Sequence, residues 1–175
     1  VWIFSLVTII LIYNKDAPIT VVGTQSLILS LFLAFLIFAC NPFLKSTTLF
    51  PAGLGFNPLL QDVALSIHPP ILYFGYAGLS VPFSMMVGAR GKKLNIKALH
   101  RWIIYPLALL TLGIGLGGWW AYRELGWGGF WFWDPVENVS LVVWLFATAS
   151  LHSVNISERV GLINKSTIIT SVGTF

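Results

Sequence analysis

Four stretches of this chain, residues 21–40, 67–87, 102–118 and 136–155, run for 17 to 21 residues with almost no ionisable side chain. In lipid no water is present to satisfy backbone N–H and C=O groups. A run of about 20 apolar residues therefore crosses as a helix that bonds to itself. Residues 1–13 read as the end of a further span, and residues 166–175 as the start of another. Charged residues make up 9% of the 175, against about 25% in soluble domains. The deficit excludes an ordinary soluble fold. The expectation is an all-α integral membrane protein, a polytopic transmembrane helix bundle with a Trp-rich outer-side loop. The chain opens on Val1 and stops inside an apolar run, so it reads as an internal piece of a longer protein.

The connecting segments give the sidedness. Residues 14–20, 88–101 and 156–166 hold eight of the ten Lys and Arg residues. Residues 41–66 and 119–135 hold only Lys45 and Arg123. Cations gather in the loops that stay inside, which places 119–135 on the outer side, periplasm or intermembrane space. The net charge of +4 thus reports membrane topology and implies no nucleic-acid partner. A single cysteine, Cys40, allows neither an internal disulfide nor a CxxC motif.

The segment 119–133, WWAYRELGWGGFWFW, has eight aromatics in fifteen positions. An interfacial belt of Trp and Tyr explains one or two rings at a helix end, and this loop exceeds that. Gly117, Gly118, Gly126, Gly128 and Gly129 surround the rings. Glycine lets backbone approach a ligand closely, and aromatic rings supply rigid apolar faces. A flat apolar ligand such as a porphyrin suits Trp119, Trp120, Trp127, Trp131 and Trp133. Packing or a membrane belt is the competing reading. The carboxylates that follow, Asp134 and Glu137, read as a helix start: Asp at the cap, Pro135 at the first helical position, Glu three residues after the cap. General acid–base chemistry would need a partner carboxylate or histidine, and none is near in sequence.

Three histidines remain. His68, in SIHPPILY, stands before two prolines at the outer lip of the span 67–87. It is either a cap, an interfacial residue or a ligand. His152 lies inside the span 136–155, where an ionisable side chain is a functional candidate. Neutral imidazole ligates haem iron, and a hydrogen bond to a neighbouring helix is the alternative. His100 reads as solvated in the basic loop. His68 and His152 sit at different depths on different spans, so they do not share one iron. Arg123, the lone cation of the aromatic loop, pairs either with Glu124 beside it or with a haem propionate, to which its fork is suited.

The string GGWWAYRELGWGGFWFWDPVENVSLVVW, residues 117–144, resembles the tryptophan-rich WWD signature of haem-handling membrane proteins, and its CcmF branch in particular. GFNPLLQDVALSIHPPILYFGYAGLSVPFSMM, residues 55–86, is similar to the CcmF block that precedes it. With the segment between them, the two blocks cover about half the chain. Val142-Val143 stand where that family often has Met-Pro. The segment before residue 41 matches only as generic spans.

The resemblance implies a cytochrome c haem lyase, incomplete without its C-terminal part or a partner chain. Such a lyase takes haem from a CcmE-like chaperone. It joins the haem by thioether bonds to the CxxCH cysteines of apocytochrome c, presented by a CcmH-like partner. The family also implies haem b held in the membrane by two histidines, one matched by His152. An outer-side histidine pair flanks the WWD surface, one matched by His68. The second members lie beyond Phe175, so other CcmF fragments are expected partners. The membrane is then the bacterial plasma membrane or the mitochondrial inner membrane. A haem delivery or export module of the CcmC/CcsA type, or a structural subunit retaining the WWD segment, is the alternative. The SIHPP block favours the lyase branch.

Overall fold

The computed structural model describes residues 1–13, 17–44, 55, 57–89, 94–126, 128–163 and 165–175. Trp127 lies outside the described residues, as do Lys15, Lys45, Arg90, Lys92 and Lys93, five of the cations used for sidedness. The elements in chain order are α1 (Trp2–Tyr13), α2 (Ile19–Phe38), a 3-10 turn (Pro58–Leu60), α3 (Val63–Ala89), α4 (Ile96–Glu124), α5 (Pro135–Val160) and α6 (Lys165–Val172). No strand occurs among the described residues. Helices α2 to α5 are each long and apolar enough to cross a membrane. The chain is a polytopic helical membrane protein, as its uncharged runs require.

The helices outrun the apolar runs that announced them, and local capping explains where they begin. Asp62 accepts from the Ala64 N–H at 2.7 Å, so α3 starts at Val63 rather than 67. His68 therefore lies in the second turn, with Pro69 and Pro70 inside the helix. Asn95 accepts from the Ala98 N–H at 3.1 Å and starts α4 inside the basic segment. His100 is accordingly a half-buried helical residue, not a solvated loop residue. At its other end α4 continues through Trp119, Trp120 and Arg123, which had been expected in a loop spanning 119–135. No Gly or Pro stands between Trp119 and Leu125, and the true connection is only residues 125–134.

Helix α3 is the central strut and packs on α1, α2, α4 and α6. Its tightest seam is with α4. A Cβ on Gly75 would lie 2.8 Å from the Leu110 backbone nitrogen, and one on Gly78 would lie 2.5 Å from Pro106 Cγ. From the other side, a Cβ on Gly113 would lie 2.8 Å from Leu72 Cα. Close backbone approach of this kind holds helices together where lipid offers no hydrophobic drive. Leu79, Leu110 and Ala147 fill one core and Val81, Leu99, Ile103 and Val154 another.

Polar side chains join the remaining helices. Buried Gln25 of α2 donates to Ser80 Oγ at 2.8 Å and accepts from Ser84 Oγ at 2.8 Å, both on α3. Ser153 and Ser157 of α5 each meet Thr167 of α6 at 2.8 Å. Every such bond satisfies a polar group that lipid would leave bare.

Candidate functional site

His68 turns from α3 onto α4. Its Nδ1 lies 2.6 Å from the carbonyl oxygen of Gly113. A carbonyl can only accept, so Nδ1 carries the proton and donates it. The tautomer follows: Nε2 bears the free lone pair. The ring occupies the space that a side chain at 117 would need, for a Cβ on Gly117 would lie 2.5 Å from His68 Cε1. A metal-binding histidine is ordinarily oriented by such a bond from its other nitrogen.

The imidazole lines a cavity of about 110 Å³ with Trp120 and Ala121 of α4, Trp131 of the connection, and Asp134, Glu137 and Ser140 at the start of α5. The indole nitrogens of Trp120 and Trp131 are both buried and have no hydrogen-bond partner. The two tryptophans thus wall the same cavity as His68, while their indole nitrogens stay shut off from its open space. The cavity is smaller than a porphyrin, so these residues fit such a group only as one wall of a site, with His68 the residue that would hold its iron. Among the described residues no group of three His, Cys, Asp or Glu forms a separate metal site.

The expected platform of five tryptophans divides. Trp120 and Trp131 line the cavity. Trp119 lies under Arg123, whose guanidinium carbon is 4.8 Å from the ring centroid. Trp133 is 68% exposed and meets Trp131 edge to face at 6.1 Å. It has φ +58°, the one left-handed non-glycine among the described residues. A bulky residue costs about 1–2 kcal/mol there, and strain of this kind gathers at functional sites. Asn138 donates to its carbonyl at 2.8 Å and helps hold the conformation.

Several glycines expected to admit a ligand serve the chain itself. Gly117 makes room for His68, and Gly118 for Phe130, whose ring a Cβ would approach to 2.8 Å. Gly126 and Gly128, at φ +65° and +74°, turn the connection.

The carboxylates cap α5. Asp134 accepts from the Glu137 N–H at 2.7 Å. Glu137 does not close the reciprocal box. It reaches back to accept from the Phe132 N–H at 2.8 Å and ties the aromatic connection to the helix. Arg123 donates to Asp62 at 2.6 Å and to Glu124 at 3.2 Å, so its chain partners include the expected Glu124 and one that sequence did not point to. With Arg123 42% exposed, the pair is worth at most about 1 kcal/mol. Its role is geometric, joining the start of α3 to the end of α4.

His152 is not part of this cavity. It stands eighteen residues beyond Asp134 on α5, about 27 Å along the helix axis, and its side chain is exposed. Sequence reasoning named Trp120 and Trp131 but missed Asp62 and Gly113. Their partners are distant in sequence, and only the Gly113–Gly117 spacing hinted at a close seam.

The chain matches, over residues 1–175, the profile of the family described as "Cytochrome C assembly protein". It is 41% identical to the cytochrome c-type biogenesis protein CcmF of Haemophilus influenzae, over all of this chain and 28% of that protein. With CcmF of Pseudomonas fluorescens it shares 46% identity over 82% of this chain and 23% of the relative. With CcmF of Escherichia coli it shares 38% over 99% and 28%. The chain thus spans about a quarter of the length of the curated relatives it matches. No solved structure gives a significant match. With its WWD segment and SIHPP block in the family's order, the chain belongs to the cytochrome c assembly family, as a CcmF-type member.

Proposed function

We propose that this chain forms part of a haem lyase of cytochrome c maturation, contributing one wall of an outer-side haem site and one ligand of a second site within the membrane. The observation that carries the reading is His68: its Nδ1–H is committed to Gly113 and its Nε2 is left open in a cavity walled by Trp120 and Trp131. Haem b, when bound, would supply an iron that imidazole can ligate and vinyl groups to which the cysteine thiols of an apocytochrome CxxCH motif can add.

The chain's own residues do the holding. Gly117 and the Gly113 carbonyl fix the imidazole plane. Trp120 and Trp131 wall the cavity beside the imidazole and offer it rigid apolar surface. Trp133, with Phe130 and Phe132, presents apolar faces outward to haem or to the incoming apocytochrome. His152, exposed at membrane depth, is ligand to the second haem, because an imidazole facing lipid requires a partner. Both sites take their second histidine from the rest of the protein. On this reading the aromatic connection faces the periplasm or intermembrane space. There a CcmE-like chaperone delivers haem and a CcmH-like partner presents the apocytochrome.

The test is haem staining of c-type cytochromes in cells that depend on the full-length protein. His68→Ala is expected to abolish covalent haem attachment while the protein still inserts and keeps its membrane haem. Normal cytochrome c levels in that variant would sink the assignment.

A further inference from the structure

Apart from the proposed site, α1, α3 and α4 enclose a second, larger groove of about 530 Å³. Its walls are apolar, with Leu6 and Ile10 of α1, Phe74 of α3 and Leu109 of α4. At one end the character changes: Arg101, Trp102 and Asn95 form the mouth, and among the described residues no Asp or Glu lines the groove. Arg101 is exposed and makes no ion pair among the described residues. Lys97 stands one turn before it on α4, also exposed.

From Asn95 to Leu109 the groove follows α4 for fourteen residues, about 21 Å of axis. That is the depth of one leaflet with its headgroup layer, half of the roughly 40–45 Å of a whole bilayer. A cationic mouth with an interfacial tryptophan, opening into an apolar trough one leaflet deep, has the form of an amphiphile with an anionic head. We infer that this groove binds an acidic glycerophospholipid, its phosphate at Arg101 and one acyl chain against Phe74 and Leu109. The lipid would seal the side of the bundle between α1 and α4, helices that pack on α3 rather than extensively on each other. The inference is independent of the proposed haem chemistry, since no residue is shared with the His68 cavity.

The test uses the purified full-length protein in lipid nanodiscs containing equal phosphatidylglycerol and phosphatidylcholine, with retained lipid counted by native mass spectrometry. The wild type is expected to retain phosphatidylglycerol about fivefold over phosphatidylcholine, the scale of one basic side chain at an anionic headgroup. Arg101→Gln should remove the preference, and Arg101→Lys should keep it. Arg159→Gln, a cation at the far end of α5 outside the groove, should also keep it. Leu109→Trp, which fills the trough without altering charge, should lower retention of both lipids. Equal retention of the two lipids by the wild type would overturn the proposal. So would a preference unchanged in Arg101→Gln, or retention unchanged in Leu109→Trp, the result expected if another helix of the full-length protein fills the groove.

Discussion

A Cβ at position 117 would sit 2.5 Å from His68 Cε1, so the smallest possible change there tests whether the imidazole's position matters. Gly117→Ala should push the ring off the Gly113 carbonyl and reproduce the maturation defect of His68→Ala. Gly115→Ala, two residues away with nothing within 4 Å, should leave maturation intact. Helix propensity alone would make both changes stabilising by up to about 1 kcal/mol, so a defect confined to position 117 reports the contact. Quantified covalent haem in c-type cytochromes reads the difference. Trp133 supplies a second comparison. Trp133→Ala and Trp133→Gly both delete the ring, but only glycine relieves the left-handed φ of +58°. The glycine variant should be the more stable by about 1 kcal/mol, measured by thermal unfolding in detergent; the reverse order would mean that the backbone there is unstrained. At this scale sequence was partly legible. The cap at Asp134 is local, and the order Asp-Pro-x-Glu displays it. The contact of Arg123 with Asp62 spans 61 residues, and no local pattern announces it. The five tryptophans look alike in sequence, because what separates Trp120 and Trp131 from Trp133 is the direction each ring takes from the backbone.

The elements were legible as apolar runs, and their ends were not. Hydropathy marks where lipid begins, whereas a helix continues until capping or a breaker stops it. Thus α4 carries its helix to Glu124, through residues that looked like loop because they are aromatic and charged. Capping and chemistry can be told apart at Asp134. Asp134→Asn keeps a capping oxygen and should leave stability and maturation near wild type, while Asp134→Ala should cost about 1 kcal/mol. Loss of maturation in the Asn variant would mean that the carboxylate has a chemical role. The α3–α4 seam carries its own expectation. Gly75→Ala drives a Cβ to 2.8 Å from the Leu110 backbone and should destabilise the bundle by about 1–3 kcal/mol. Gly23→Ala on α2, with open space around it, should be neutral or slightly stabilising. Thermal unfolding of both variants in detergent decides it; equal behaviour would mean that the helices separate without cost. Because His68 bonds across this seam, opening it also misplaces the imidazole.

Across the whole molecule, α3 and α4 set the geometry from which the two proposed haem positions follow. His68 is held near the N-terminal end of α3, and His152 lies about 27 Å along α5 from the cavity wall. The separation was legible in sequence because the two histidines fall at different depths of different spans. The cavity between His68 and the aromatic connection was not, since it is built from α3, α4 and the start of α5 at once. The most direct measurement is the visible haem spectrum of the purified full-length protein, set beside covalent haem attachment to a reporter cytochrome c. For two sites, His152→Gly should lose the resident membrane haem signal. His68→Gly should keep that signal, lose attachment, and regain attachment when imidazole is supplied to fill the vacated ligand position. An unchanged spectrum in His152→Gly, or full attachment in His68→Gly without imidazole, would contradict the assignment of these two histidines as haem ligands.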